Sequence, residues 1–176
     1  MSHGQRQSTV MKTIILESSE GKTFELFLHE TRPSKLIRDA IEDDDDADED
    51  EDQQPSIPLA NVSSDTLEQV IIFLKNYAIE PMIQLEQQLG SSFHENVSQE
   101  FYRKFILDKS SGMVFKLANA ANYLDIPPLL DLTCLKVSFD LMDKSAEEIR
   151  VLLKLPKLTK EEEEIARKDH TWMFEE

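Results

Sequence analysis

The sequence predicts an α+β fold, with a small sheet built early and helices segregated behind it. Three observations carry this. Alternating apolar residues are confined to residues 12–28, with one further short extended run at 55–59. Apolar residues then recur at helical spacing, beginning with Leu67, Val70, Ile71 and Leu74. Ser, Thr and Pro stand where successive helices should start.

The elements follow in order. Thr13-Ile14-Ile15-Leu16 is a β-branched run suited to a pleated surface. Ser18-Ser19-Glu20-Gly21 supplies a turn in which Gly21 is free to take positive φ. Phe24, Leu26 and Leu28 then alternate, so residues 12–28 read as a hairpin with one buried face. After Thr31-Arg32-Pro33-Ser34, residues 35–41 set Leu36, Ile37, Ala40 and Ile41 on one side of a short helix. Residues 42–52 hold ten acidic side chains interrupted only by Ala47. Like charges repel and nothing apolar is available to bury, so 42–54 is expected to be a disordered loop. Pro55-Ser56-Ile57-Pro58-Leu59 fits only a short edge strand, because proline cannot donate to a ladder.

Ser63-Ser64-Asp65 offers N-cap oxygens to the next helix, which Glu80-Pro81 ends. Residues 81–97 are rich in Gln and Ser and read as a loop, with one helical turn around 83–89. Phe101 and Phe105 lie four apart in a helix over 99–108. Ser110-Ser111-Gly112 precedes a helix striped by Val114, Leu117, Ala118 and Ala121. Asp125-Ile126-Pro127-Pro128 makes a corner, since proline suits the first turn of a helix. The helix that follows carries Leu129, Leu130, Leu132, Thr133, Val137 and Leu141 on more than one face. Ser145-Ala146-Glu147-Glu148 and Thr159-Lys160-Glu161-Glu162 are capping boxes that start two last helices. Ile149, Leu152 and Leu153 lie in the first of these, Ile165 and Ala166 in the second.

Charge and composition narrow the function. The net charge is −16, from 19 basic and 35 acidic residues; without the ten acids of the run the excess falls to six. Nucleic-acid binding needs a cationic stripe to displace counterions, and an anionic membrane surface needs the same, so neither partner is expected. No apolar run approaches a membrane span. Residues 1–11 lack the apolar core of a secretory signal and are expected to be a disordered tail. The sequons at Asn61 and Asn96 should therefore be idle. Cys134 is the only cysteine, which excludes an internal disulfide and any cysteine-based zinc cluster. As a residue alone it should pack as a small apolar group. His3, His29, His94 and His170 form no metal-binding spacing. The acidic run lacks the turn glycine of a calcium loop, and four glycines in the whole chain leave no phosphate-binding loop. No catalytic group, metal or cofactor is expected.

What remains points to protein binding. Trp172 is the lone tryptophan and stands in a polar tail, where a large aromatic is either folded back or reserved for a partner. Residues 129–172 carry more apolar surface than a small helical unit buries by itself. A partner interface or a private core against the first domain would each account for it.

Several blocks carry a resemblance. They are 14–24 (Ile-Ile-Leu-Glu-Ser-Ser-Glu-Gly-Lys-Thr-Phe), Ile57-Pro58-Leu59-Ala60-Asn61-Val62 behind the acidic insertion, and 120–126 (Ala-Ala-Asn-Tyr-Leu-Asp-Ile). Leu129-Leu130-Asp131-Leu132-Thr133-Cys134, Ala146-Glu147-Glu148-Ile149-Arg150, the run 159–164 and Trp172 follow in register. From about residue 12 to 176 the chain resembles the Skp family, the S-phase-kinase-associated adaptor subunits of SCF ubiquitin ligases. Elongin C shares the fold but stops near the equivalent of residue 130. The resemblance implies a BTB/POZ-type domain over 12–128 and F-box-binding helices over 129–176. It implies a non-enzymatic adaptor in cytoplasm and nucleus, bridging a cullin to F-box substrate receptors for ubiquitin-dependent degradation. On it, Asn122 and Tyr123 should face the cullin, and Leu132, Cys134, Val137, Ile149, Leu152 and Trp172 the F-box. The chain departs from the family at Pro127-Pro128, where members carry Lys-Gly, at Val97, where a tryptophan is usual, and throughout 76–107. Ala146 replaces a proline that some protists hydroxylate. A self-associating BTB-type structural protein outside the ligase pathway is the alternative, and a weak homodimer stays open. An acidic chaperone for basic proteins would rest on the 42–52 run alone.

Overall fold

The computed structural model describes residues 12–44, 56–86, 88 and 90–170. The expectations for the amino-terminal tail, most of the acidic run and Trp172 therefore fall outside the described residues. Strands β1 (Thr13–Ser18) and β2 (Thr23–Phe27) pair antiparallel, with Ile14 opposite Leu26 and Leu16 opposite Phe24. Ser18 N–H donates to the Lys22 carbonyl and Gly21 N–H to the Ser18 carbonyl, both at 2.9 Å. Gly21 sits at φ +79°, which closes the three-residue loop with the bulge that favours glycine. Ile14, Leu16 and Leu26 are buried on one face, as the alternation requires. A 3-10 turn, Leu28–Thr31, follows. There the buried Glu30 carboxylate accepts the Phe27 N–H at 2.9 Å.

Helix α1 (Lys35–Asp44) runs into the acidic stretch, and β3 (Ser56–Leu59) returns parallel to β1. The sheet order is β2-β1-β3, so Pro58 lies on an edge strand, the place in a sheet where proline is tolerated. Helix α2 (Ser64–Ile79) buries Leu67, Val70, Ile71, Phe73 and Leu74. Its start differs from expectation. The Ser63 hydroxyl donates to the Asp65 carboxylate instead of accepting a helix amide, because that ionised acceptor sits two residues away. Glu20, in the hairpin turn, caps the helix instead: its carboxylate accepts the Ser64 N–H at 2.6 Å and the Ser64 hydroxyl.

The helical turn expected around 83–89 lies instead at α3 (Phe93–Asn96). The reason is chemical. Ser92 and Glu95 form a reciprocal capping box, whereas Ile83 has its N–H taken by the Gln99 side chain at 2.7 Å. Gln99 also donates to Glu80 Oε1 and the Pro81 carbonyl, and the Tyr102 hydroxyl donates to the Glu80 carbonyl. Asn96 bonds both polar groups of the Gly90 backbone. Side chains thus order a segment that has little regular structure of its own.

Helix α4 (Glu100–Leu107) lies within the predicted 99–108, and α5 (Ser111–Tyr123) and α6 (Pro127–Leu141) lie where the apolar stripes place helices. Phe73 meets Tyr102 edge-on at 5.5 Å and Phe105 at 6.0 Å, joining α2 to α4. Asp65 accepts from Lys116 at 2.9 Å, joining the start of α2 to α5. Hydrogen bonds from Ser63 and then Lys116 hold the Asp65 carboxyl well below the usual carboxylate range.

The chain forms two compact units, Met1–Phe139 and Asp140–Glu176. Pro127 starts α6 as expected, yet Leu129, Leu132, Thr133 and Leu135 of that helix are buried in the core of the first unit. The second unit holds α7 (Ala146–Leu152) and α8 (Lys160–Asp169). None of its described residues is buried.

Candidate functional site

Two surfaces stand out, one in each unit. The first is the end of α5. Leu124 and Ile126 are fully buried and anchor the chain on either side of Asp125, which takes φ +49°. Ile126 N–H donates to the Ala121 carbonyl at 2.8 Å and Asp125 N–H to the Asn122 carbonyl at 3.3 Å. This pair of bonds is the Schellman ending of a helix, made here with aspartate where glycine is usual. Held just ahead of the turn, Asn122 is exposed and Tyr123 half-buried against the core. The sequence expectation assigns both residues to one binding surface; they are the last two residues of α5.

The start of α1 meets this corner. The fully buried Ser34 hydroxyl donates to the Leu124 carbonyl at 2.6 Å, while its oxygen accepts the Ile37 N–H at 3.3 Å. Lys35 N–H donates to the Asp125 carbonyl at 3.0 Å and Leu36 N–H to the Leu124 carbonyl at 3.4 Å. Orphan amides at one helix start thereby satisfy orphan carbonyls at another helix end.

The second surface is the pair of terminal helices. Ser145 Oγ accepts the Glu148 N–H at 3.4 Å, and the Glu148 carboxylate accepts the Ser145 N–H at 2.8 Å. Thr159 and Glu162 repeat this at 3.3 and 2.8 Å. The Ser145 hydroxyl foremost lowers the Glu148 carboxyl, and the Thr159 amide foremost lowers that of Glu162. Arg150 grips Glu147 through two nitrogens, at 2.8 and 2.6 Å, and donates to the Leu155 carbonyl at 2.9 Å. Lys154, at φ +54°, turns the chain so that Leu155 N–H donates back to the Arg150 carbonyl at 2.9 Å. Backbone and polar side chains are thus satisfied locally, while Val151, Leu155, Leu158 and Ile165 stand 62%, 51%, 59% and 60% exposed.

The individual F-box expectations fare unequally. Leu132 is corrected: it is fully buried in the first unit's core, so it has no surface to offer a partner. Cys134 is exposed, which overturns the expectation that it packs as a small apolar group. It lies on the solvent side of α6, beside the buried pair Leu132 and Thr133 in sequence. Val137 is half-buried against the first unit's core. Ile149 and Leu152 are half-buried in the second unit. Sequence reasoning missed Val151, Leu155, Leu158 and Ile165 as candidate contacts. The available signal was their polar setting: Val151 follows Arg150, and Leu155 and Leu158 flank Pro156-Lys157.

Among the described residues no group of three or more His, Cys, Asp or Glu side chains could hold a metal ion. No described helix is long and apolar enough to cross a membrane.

Comparison with known proteins adds an independent line. Residues 12–78 match the model described as Skp1 family, tetramerisation domain, and residues 127–173 that described as Skp1 family, dimerisation domain. SKP1-like protein 11 of Arabidopsis thaliana is 36% identical over 165 residues, covering 93% of this chain and 98% of the relative. SCF ubiquitin ligase complex protein SKP1a of Dictyostelium discoideum is 34% identical over 163 residues, covering 92% and 96%.

Proposed function

Because the chain belongs to the Skp1 family, we propose that it is the adaptor subunit of an SCF-type ubiquitin ligase, joining a cullin to F-box substrate receptors. It performs no chemistry itself. The first unit, a POZ-type domain, engages the cullin through Asn122 and Tyr123. The terminal helices engage the F-box through Ile149, Leu152 and the exposed apolar residues around them; Cys134, Val137 and Trp172 are further contacts assigned to the same partner. A bridge of this kind raises the effective concentration of a bound substrate near the ubiquitin-charged enzyme.

The observation that carries this reading is a mismatch across 146–169. The caps of α7 and α8 are complete, yet Val151 and Ile165 on them, and Leu155 and Leu158 between them, remain more than half exposed. Uncovered apolar side chains on a locally satisfied segment are what a protein partner buries.

Amide exchange over residues 145–170, with and without an F-box peptide, tests it. Protection gained on adding the peptide supports the adaptor reading; exchange unchanged by every F-box partner refutes it. Light scattering on the full chain distinguishes the remaining case, a stable self-associated protein that binds no cullin. The adaptor is placed in cytoplasm and nucleus, and fractionation that finds the chain in neither would refute that assignment.

A further inference from the structure

We infer that Ser34 is a positioning residue for the Asn122–Tyr123 surface, acting through the end of α5; the inference rests on the adaptor reading above. Ser34 is 90 residues from Leu124 in sequence, yet its hydroxyl makes a 2.6 Å bond to the Leu124 carbonyl with no exposed surface. As a simple N-cap, Ser34 would need only its acceptor side, which takes the Ile37 N–H. The donor side goes to another helix. With the Lys35 and Leu36 amides, it brings three donors onto two consecutive carbonyls, Leu124 and Asp125.

Those carbonyls flank the one residue of the corner whose conformation is unfavourable for an L-amino acid, Asp125 at φ +49°. A backbone held there by aspartate has competing conformations, and the bonds from α1 select among them. Asn122 and Tyr123 are the last two residues of α5 and stand immediately before the clasp, which holds that final turn against fraying. Loss of the hydroxyl leaves the Ile37 amide without its cap and the Leu124 carbonyl with only the 3.4 Å bond from Leu36. A partner would then have to re-order the corner on binding, which weakens affinity.

The test uses the full chain as Ser34→Ala and Ser34→Cys. The cysteine keeps a γ atom in the site while replacing a strong donor by a weak one, and it decides the matter if Ser34→Ala does not fold. Each variant is titrated against a cullin amino-terminal fragment and, separately, an F-box peptide, and exchange is followed at the Ile126 amide. The expected result is a cullin Kd raised about tenfold, an F-box Kd within about twofold, and faster exchange at Ile126. An unchanged cullin Kd in the folded variants overturns the inference, and so does equal weakening toward both partners, which would mark a merely structural role. If the unsubstituted chain binds no cullin, the adaptor reading fails and the inference falls with it; that outcome is distinct, because it appears before any substitution is made.

Discussion

The Glu20 carboxylate, in the hairpin turn, accepts the backbone N–H of Ser64 at 2.6 Å across 44 residues of chain. The first turn of α2 is therefore capped by the sheet and not by its own N-cap residue, Ser63. Ser18 joins the same contact, its Oγ sharing a 2.8 Å hydrogen bond with Ser64 Oγ. An anion at a helix start also meets the positive end of the helix dipole, so this small constellation welds the sheet to the helix that covers it.

This contact predicts a pH dependence. The Ser64 hydroxyl, then its amide, hold the Glu20 carboxyl below the usual range. A lowered carboxyl stabilises the fold in full above its unfolded pKa of about 4. That contribution disappears as pH falls through the lower folded value. Glu20→Gln should therefore melt below the unsubstituted chain at pH 6, and the gap between the two should close progressively below about pH 4. Thermal melts at several pH values measure it; a gap that widens in acid would refute the contact's role.

Leu132→Ala is expected to destabilise the first unit by about 2–5 kcal/mol, the range for emptying a packed core site. Leu132 is fully buried. Denaturant titration reads the loss directly. A stable variant that fails only in F-box binding would return Leu132 to the surface where the sequence had placed it.

Val151→Asp and Ile165→Asp are expected to behave in the opposite way. Both residues are at least 60% exposed, so stability should change by no more than about 0.5 kcal/mol. F-box affinity should fall by at least about tenfold, because a charge would be buried in an apolar contact. Calorimetric titration with an F-box peptide, beside a melt of each variant, separates the two effects.

Tyr102→Phe removes a buried hydroxyl that donates to the Glu80 carbonyl. The expected cost is about 1 kcal/mol, the net worth of a typical hydrogen bond. Faster amide exchange should appear at Ile83, whose N–H is held by Gln99 in the same network. A loss of stability without any change at Ile83 would mean that the two bonds act separately.

Regular elements were legible in the sequence because their apolar spacing is strict. Leu67, Val70, Ile71 and Leu74 mark one face of α2, and all four are buried. The capping boxes at Ser145 and Thr159 were legible because every participant lies within three residues. Three features were hidden for physical reasons. Ser63 is a good cap by type, yet Asp65 competes for its hydroxyl. The order of the segment before α4 comes from Gln99, Asn96 and Tyr102 reaching back over as many as 22 residues, which no local period records. The inward side of α6 was ambiguous because apolar residues surround the helix, and only packing separates buried Leu132 from exposed Cys134.

Cys134 is the sole thiol in the chain, and α6 presents it to solvent. A maleimide dye would therefore attach at one known place without any engineering of the sequence. Set on the helix assigned to receptor docking, that dye would turn each arriving F-box protein into an optical signal. The same thiol, left untreated in air, would cross-link two copies, so a covalent dimer on a non-reducing gel would report storage chemistry and not assembly.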